Sequence, residues 1–399
     1  MSIRTSTLGT FERALAQMQA SQARVNAAQQ QIASGTRLDT AAGNPVAASV
    51  AVMLDRSEAE FRRFGENADR LRNRLSLQEA TLATAGNALE RMREIALQAN
   101  SGVLDDATRE ALVPEILGLR AVLLSAANAA DGEGRFLFGG TQDGSAPFSL
   151  APSGVIYAGD QMQRRVDVGP DLSLADTDPG SELFLRVRTG NGLAVTRADP
   201  ANAGTAVLQS AGFVDQSEWD GGSYRVEFNA GNYQVLDAAS AVVAAGSWSS
   251  GQPVVFRGYQ LVLAGTPANG DAFAVDPAPA QDVFALADRL VTALRTAETP
   301  ASAAAARQNR FFAVIEDITQ ATAHLGDARA DTGSRLSVLD QTDDDREGAL
   351  LHVQKSLSEL RDLDFAEAVS RLTQEATLLE AAQQSFVRIQ GLSLFNFLR

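Results

Sequence analysis

The chain has 399 residues, 45% of them hydrophobic, a formal net charge of -15 and no cysteine. That apolar content excludes a disordered chain and at this length suits two or three folded domains. The acidic balance leaves no basic stripe to release counterions from phosphates, which argues against nucleic acid as a partner, and the missing thiols remove disulfides, thiolate metal sites and cysteine nucleophiles while leaving the redox compartment open.

Met1 to Phe11 mixes Arg4, hydroxyl side chains and Gly9 and lacks the continuous apolar core of a cleaved secretory signal. No run approaches the roughly 18 to 20 apolar residues that span a bilayer, so no membrane partner is expected. Phe11, Leu15, Met18, Val25 and Ile32 then fall on steps of four and three once Gln22 and Gln29 are counted into the seam, which predicts an amphipathic helix.

Gly35, Gly43 and Pro45 break this helix, and a second begins near Val46. Leu54, Phe61, Ala68, Leu75, Leu82, Leu89 and Ala96 recur every seventh residue, with Phe64, Leu71, Ala85, Met92 and Ala99 as a second row. A helix of this length reaches roughly 80 Å, the spine of a rod. Ser101 and Gly102 end it, Asp105 or Asp106 offers an N-cap for a third helix carrying Leu112, Ile116, Leu119 and Leu123, and Pro114 predicts a bend there.

The middle changes character. Tyr224 to Phe228 alternates apolar and polar residues as a half-buried strand does. Gly154 to Ala158, Tyr233 to Leu236, Val254 to Phe256 and Tyr259 to Leu263 are further strands, separated by Gly, Asn, Asp and Pro. A short helix, Val283 to Leu294, leads to a break at Thr299-Pro300, after which Phe311, Ile315, Ile318, Thr322, Leu325, Leu336 and Leu339 resume the four-three step, with Arg329 and Thr332 between them. Phe365, Val369, Leu372, Ala376, Leu379 and Phe386 close the chain in the same rhythm, with Gln383 on the seam and Ile389 and Leu392 beside its continuation.

The fold class that follows is mainly α with an inserted β domain: an elongated antiparallel α-helical coiled-coil rod formed by both chain ends, and a mainly-β domain from the middle of the chain. The expected divisions are 1–44 with 356–399 as a terminal helical coiled-coil domain, 45–150 with 281–355 as a helical rod domain, and 151–280 as the β domain. For Leu75, Leu82 and Leu89 packing within the chain is the preferred reading. For the two ends, periodicity alone divides evenly between an intramolecular hairpin and packing between subunits.

Chemistry is sparse. His324 and His352, the two imidazoles, lie on predicted helices outside any metal-ligand spacing and read as solvated residues. Asp343-Asp344-Asp345 points to different helix faces and reads as a solvated acidic patch. Gly132-Glu133-Gly134-Arg135 and Gly139-Gly140 lack the Gly-Lys-Ser/Thr of a phosphate loop, and no nucleophile elbow occurs. The sequence predicts no enzyme, no catalytic or metal-binding residue and no cofactor.

Gln31-Ile32-Ala33-Ser34-Gly35-Thr36-Arg37-Leu38, followed by Asn44-Pro45 and an alanine-rich helix, resembles the flagellin superfamily. Leu325-Gly326-Asp327-Ala328-Arg329, Leu360 to Ala368 and Leu392 to Arg399 are similar to its returning helices and terminal tail. Within the superfamily, Arg135-Phe136-Leu137-Phe138-Gly139-Gly140-Thr141-Gln142 and Gly265 to Val275 resemble the hook-associated proteins. One departure is Gly43-Asn44, where relatives often place an acidic pair before the proline.

The resemblance implies a structural protein of the bacterial flagellum, outside the cell at the hook-filament junction, exported through the flagellar secretion apparatus without a cleaved signal. It implies self-association in a ring, with hook-associated protein 1, flagellin and an export chaperone as partners. It also favours packing between subunits at the ends, where Phe11, Leu15, Met18, Val25, Ile32, Leu372, Leu379, Phe386, Ile389, Leu392, Leu394, Phe395 and Leu398 are the candidate axial contacts. Leu372, Leu379 and Phe386 are the candidate chaperone contacts. Seams thinned by Ala28, Gln22, Gln29, Ala376 and Gln383 do not repay ordering entropy alone, so the ends are expected to order on assembly. Flagellin itself and a free-standing coiled-coil adhesin or scaffold are the alternatives.

Overall fold

The computed structural model describes residues 7–37, 44–101, 104–152, 154–297 and 299–397, except for the side chains at 7, 8, 10, 11 and 389–397. The helices are α1 (Thr7–Ser34), α2 (Pro45–Asn100), α3 (Asp106–Ala127), α4 (Ala285–Leu294), α5 (Ala301–Arg361) and α6 (Phe365–Phe397). Between α3 and α4 run β1 (Phe148–Ala151), β2 (Gly154–Tyr157), β3 (Arg165–Gly169), β4 (Leu172–Ala175), β5 (Val187–Arg188), β6 (Ala194–Ala198) and β7 (Val207–Phe213). They are followed by β8 (Tyr224–Asn229), β9 (Asn232–Asp237), β10 (Val242–Ser247), β11 (Pro253–Phe256), β12 (Tyr259–Ala264), β13 (Ala272–Pro277) and β14 (Ala280–Gln281). The protein is mainly α with an inserted β domain.

Local chemistry sets the boundaries. Gly35 takes φ +70 after α1, and Pro45 opens α2 where its missing N–H costs nothing. Asn44 supplies the cap itself, its Oδ1 accepting from the Ala47 amide at 3.1 Å. Asp105 caps α3 by accepting from the Thr108 amide at 2.8 Å; Pro114 lies inside that helix.

The chain divides into two compact units, residues 1–66 with 342–399 and residues 67–341. In the larger unit the remainder of α2 runs antiparallel to α5, as Arg72 with Asp340 and Glu79 with Arg329 show. Ala68, Leu71, Leu75, Leu82, Ala85, Leu89, Met92, Ala96 and Ala99 are buried, so both seam rows read from the α2 sequence face inward here. Leu137, Phe138, Phe148, Phe184 and Phe284 join the same core, with Phe138 and Phe184 edge-on at 5.4 Å.

One seam position between Leu71 and Ala85 is polar. Gln78 is fully buried and donates to Asp178 Oδ2 at 2.6 Å and to Thr332 Oγ1 at 2.7 Å, while its own Oε1 accepts from the Asp178 amide at 2.8 Å. Every polar atom of that amide is therefore satisfied inside the helix pair. Nearby, Arg74 reaches Asp131 at 2.6 Å and Asp176 at 2.9 Å.

The β domain is antiparallel throughout, with sheet orders β10-β9-β8-β13-β6 and β11-β12-β7 and short pairs β1-β2, β3-β4 and β5-β14. In β8, Tyr224, Val226 and Phe228 point into the core and Arg225 and Asn229 outward. Ala230 and Gly231, both at positive φ, turn β8 into β9 as a two-residue hairpin requires. The domain is fastened to α5 by Asn309, which accepts from the Leu208 amide at 2.8 Å and donates to the Ala206 carbonyl at 3.0 Å. Asp317, fully buried, accepts from Gly190 N at 2.7 Å, Arg197 at 2.6 Å and Arg289 at 2.8 Å.

Several sequence expectations need correction. On α5 the row Phe311, Ile318, Leu325, Thr332 and Leu339 is buried as read and Ile315 packs against the same core, but the buried flank is Val314 and Ala321, and Arg329 is exposed. Arg329 lies outside the seam and pairs with Glu79. His324 is not merely solvated: its Nε2 is 2.9 Å from the Glu182 carbonyl oxygen, holding the turn at Ser181–Leu185 to α5, whereas His352 is exposed. Of the three aspartates, Asp344 and Asp345 are exposed and Asp343 is half-buried in an ion pair with Arg346.

Candidate assembly surface

In the smaller unit α1 packs against α6. The sequence produces this pairing by giving each helix a row of apolar residues beside a row of small ones. On α1, Val25 and Ala28 are buried at 6% exposure each, Ser21 is buried, and Met18 and Ile32 are half-buried. On α6, Ala368 is buried and Leu372, Glu375, Leu379, Ala382 and Phe386 are half-buried. Arg24 Nε donates to Glu375 at 2.9 Å across the pair, and Arg24 Nη2 donates to Ser21 Oγ at 2.9 Å.

The candidate axial residues therefore divide. Met18, Val25, Ile32, Leu372, Leu379 and Phe386 lie on the faces that α1 and α6 turn toward each other, and Leu15 is half-buried beside them. The side chains of Phe11, Ile389, Leu392, Leu394 and Phe395, and Leu398 as a whole, lie outside the described residues. The second seam row differs from the sequence reading: Gln22, Gln29, Ala376 and Gln383 are exposed, while Ser21, Ala28, Ala368 and Ala382 take the inner positions. Phe365 and Val369 likewise face outward, exposed by 56% and 51%.

A knot of backbone hydrogen bonds joins the inner ends of the two helices. Thr36 pairs with Asp362, Arg37 N donates to Arg361 O at 2.7 Å, and Leu363 N donates to Gly35 O at 3.1 Å. Asp364 then caps α6, its Oδ1 accepting from Ala366 N at 3.0 Å and Glu367 N at 3.1 Å.

The start of α2 and the end of α5 form the other pair of this unit, with Ala51, Val353 and Leu357 buried against Leu54 and Phe61. Arg361 Nη1 donates to Asp55 Oδ1 at 2.8 Å, and this hydrogen bond holds the guanidinium above its usual range. Glu58 is pushed down by hydrogen bonds from Arg62 first and Gln354 second. The outer residues Val46, Val50, Val52 and Met53 are exposed, as are Leu351 on α5 and Leu378 and Val387 on α6.

Among the described residues no group of three His, Cys, Asp or Glu side chains stands as a metal site, and no helix is long and apolar enough to cross a membrane. What the unit presents is a set of helix faces rather than a cleft.

The chain matches the bacterial flagellin N-terminal helical region over residues 5–143 and the bacterial flagellin C-terminal helical region over residues 315–398. It is 23% identical over 397 residues to flagellar hook-associated protein 3 of Salmonella typhimurium, covering 100% of each chain. It is also similar to the crystal structure of Xanthomonas campestris FlgL, at 40% identity and a TM-score of 0.71, over 76% of this chain and 99% of that one. The flagellar junction protein FlgL from Legionella pneumophila is similar at 27% identity and a TM-score of 0.72, over 78% of this chain and 100% of that one.

Long helices from both chain ends, paired antiparallel, with a β-rich insert between them in sequence, together with these matches, define a flagellin-type structural protein. Within that class the chain belongs to the flagellar hook-associated protein 3 (FlgL) family. It is a structural component of the flagellum.

Proposed function

We propose that this chain forms the hook-filament junction, a ring of copies joining hook-associated protein 1 to flagellin outside the cell. The observation that carries the reading is the width of the apolar face of α6. Leu372, Leu379 and Phe386 face α1, yet Phe365, Val369, Leu378 and Val387 on either flank stay at least half exposed. A surface helix needs only the stripe that meets its partner, and a helix apolar well beyond it is built to be covered on more than one side. Each of these side chains gains roughly 1.5–3 kcal/mol on full burial, a gain the single chain leaves unrealised.

On this reading the terminal coiled-coil domain, 1–44 with 356–399, enters a tubular core and orders against neighbouring copies. Before assembly the apolar surface of α6 invites aggregation, and an export chaperone that takes the place of α1 on Leu372, Leu379 and Phe386 guards that helix until export through the flagellar apparatus.

Fluorescent labelling of the chain on intact flagella tests the proposal. A single spot between hook and filament is expected, together with loss of attached filaments in a deletion strain. Label along the whole filament would instead make the chain a flagellin.

A further inference from the structure

The first turns of α2 carry apolar residues on two faces. Ala47, Ala51 and Leu54 face inward, whereas Val46, Val50 and Met53, spaced i, i+4 and i+7, form a second stripe exposed by 74%, 39% and 67%. Such spacing is the footprint of a second helix, and none of the described residues covers it. Arg56, one turn beyond Met53 and at the edge of this stripe, is exposed and makes no ion pair among the described residues.

The same unit holds a second uncovered stripe, on α6. Phe365, Val369, Ala376 and Val387 share one outward side, and Glu380, exposed and without an ion pair among the described residues, stands in line with them. Pairing either stripe with its own copy sets Arg56 against Arg56 or Glu380 against Glu380. Pairing one with the other sets opposite charges at the margin of two exposed apolar faces. Each stripe is thus complemented in charge by a stripe that the same chain carries, which favours a second copy as the partner.

We infer that the α2 stripe Val46/Val50/Met53 is the seat for the α6 stripe of a second copy of this chain, with Arg56 meeting Glu380. The contact is heterologous, so each copy offers one seat and one insert, and repetition around a closed rotation produces a ring. This deepens the junction proposal and rests on it.

The natural absence of cysteine makes the test direct. Met53→Cys and Val369→Cys full-length chains are expressed together in place of the wild-type chain, and isolated flagella are oxidised. A disulfide-linked dimer at least tenfold stronger in the mixture than with either variant alone is expected, reduced several-fold by Arg56→Glu and restored by adding Glu380→Arg. A second pair, Val50→Cys with Val387→Cys, gives the same readout if a first variant fails to incorporate.

Dimers equally strong with a single variant would overturn the inference by revealing like-to-like contact. So would cross-linking of Val369→Cys only to a different, smaller protein. No dimer in flagella that contain both chains overturns the seat and leaves the junction proposal standing. A wild-type chain found nowhere in the flagellum removes both.

Discussion

Arg24 and Glu375 are ion-paired at 2.9 Å although 351 residues separate them. The pair fixes which faces of α1 and α6 meet, but its exposed arginine keeps it from holding them together: surface pairs of this kind contribute roughly 0.2–1 kcal/mol. The neighbouring Val25, buried against α6, carries the weight instead.

Arg24→Ala is therefore expected to leave amide exchange in α1 within about threefold of wild type, whereas Val25→Asp, which sets a charge in the seam, should open α1 and α6 together. Hydrogen-deuterium exchange on the purified chain measures both. The terminal helices of the wild type should themselves exchange faster than the segment around Leu75, and equal protection would contradict the proposal that they order on assembly.

Removal of residues 1–37 or of residues 358–399 is expected to leave a folded body that no longer joins flagella. The larger unit, residues 67–341, keeps all of its own core in either truncation. Circular dichroism and thermal unfolding should report that core intact, while flagella isolated from the truncated strains should lack the protein. Normal incorporation of either truncation would contradict the role given to the ends.

Gln78→Leu should destabilise the larger unit by about 1–3 kcal/mol, because Thr332 and the Asp178 amide lose their buried partner. Gln78→Glu should cost more at neutral pH, since it sets a carboxylate beside that of Asp178, and should recover part of the loss in acid. Urea unfolding of both variants at two pH values decides this. A Gln78→Leu chain as stable as wild type would mean the amide serves register alone.

Glu316 titrates at about 7, raised by burial from an ordinary 4.5 despite the nearby Arg197. A carboxyl raised on folding binds its proton more tightly in the native state than in the unfolded one. It therefore supports folding most below pH 4.5 and withdraws that support as pH rises through about 7. The difference corresponds to about 3 kcal/mol as an upper bound. Glu316→Gln should flatten the fall in stability between pH 4.5 and pH 8, leaving the opposing slopes of the other carboxylates. An unchanged pH profile would show that Glu316 stays charged in the folded chain.

Most of the architecture was legible in the residues. The boundaries of α1, α2 and α3, the break before α5 and the strands β2, β8, β9, β11 and β12 follow from turn glycines, prolines, caps and alternation. The seams were legible in one row and displaced in the other, and the displacement repeats. On α1 and α6 the rows through Val25 and Leu379 are right but their flanks lie one residue earlier than read, and on α5 Val314 and Ala321 are buried more deeply than Ile315, which packs beside them.

The cause is size. Reading for bulk selects Val369, whereas helices that approach closely turn small side chains such as Ala321, Ala28 and Ala368 toward each other and leave a larger one such as Val369 at the margin. On α2 the large residues themselves occupy both rows, so the same reading succeeds there. Gln78 escaped because a buried polar residue in a helix seam has no periodic mark, and its partners, Asp178 and Thr332, are far away in sequence. The outward stripes on α2 and α6 were in view as apolar residues, but only the fold separates a covered face from an open one.

The knot at Gly35, Thr36 and Arg37 with Arg361, Asp362 and Leu363 has a mechanical corollary. Three residues of the outgoing segment and three of the returning one meet at a single level, just where α5 ends and before α6 begins, so the two passes of the chain are fastened there through the main chain itself.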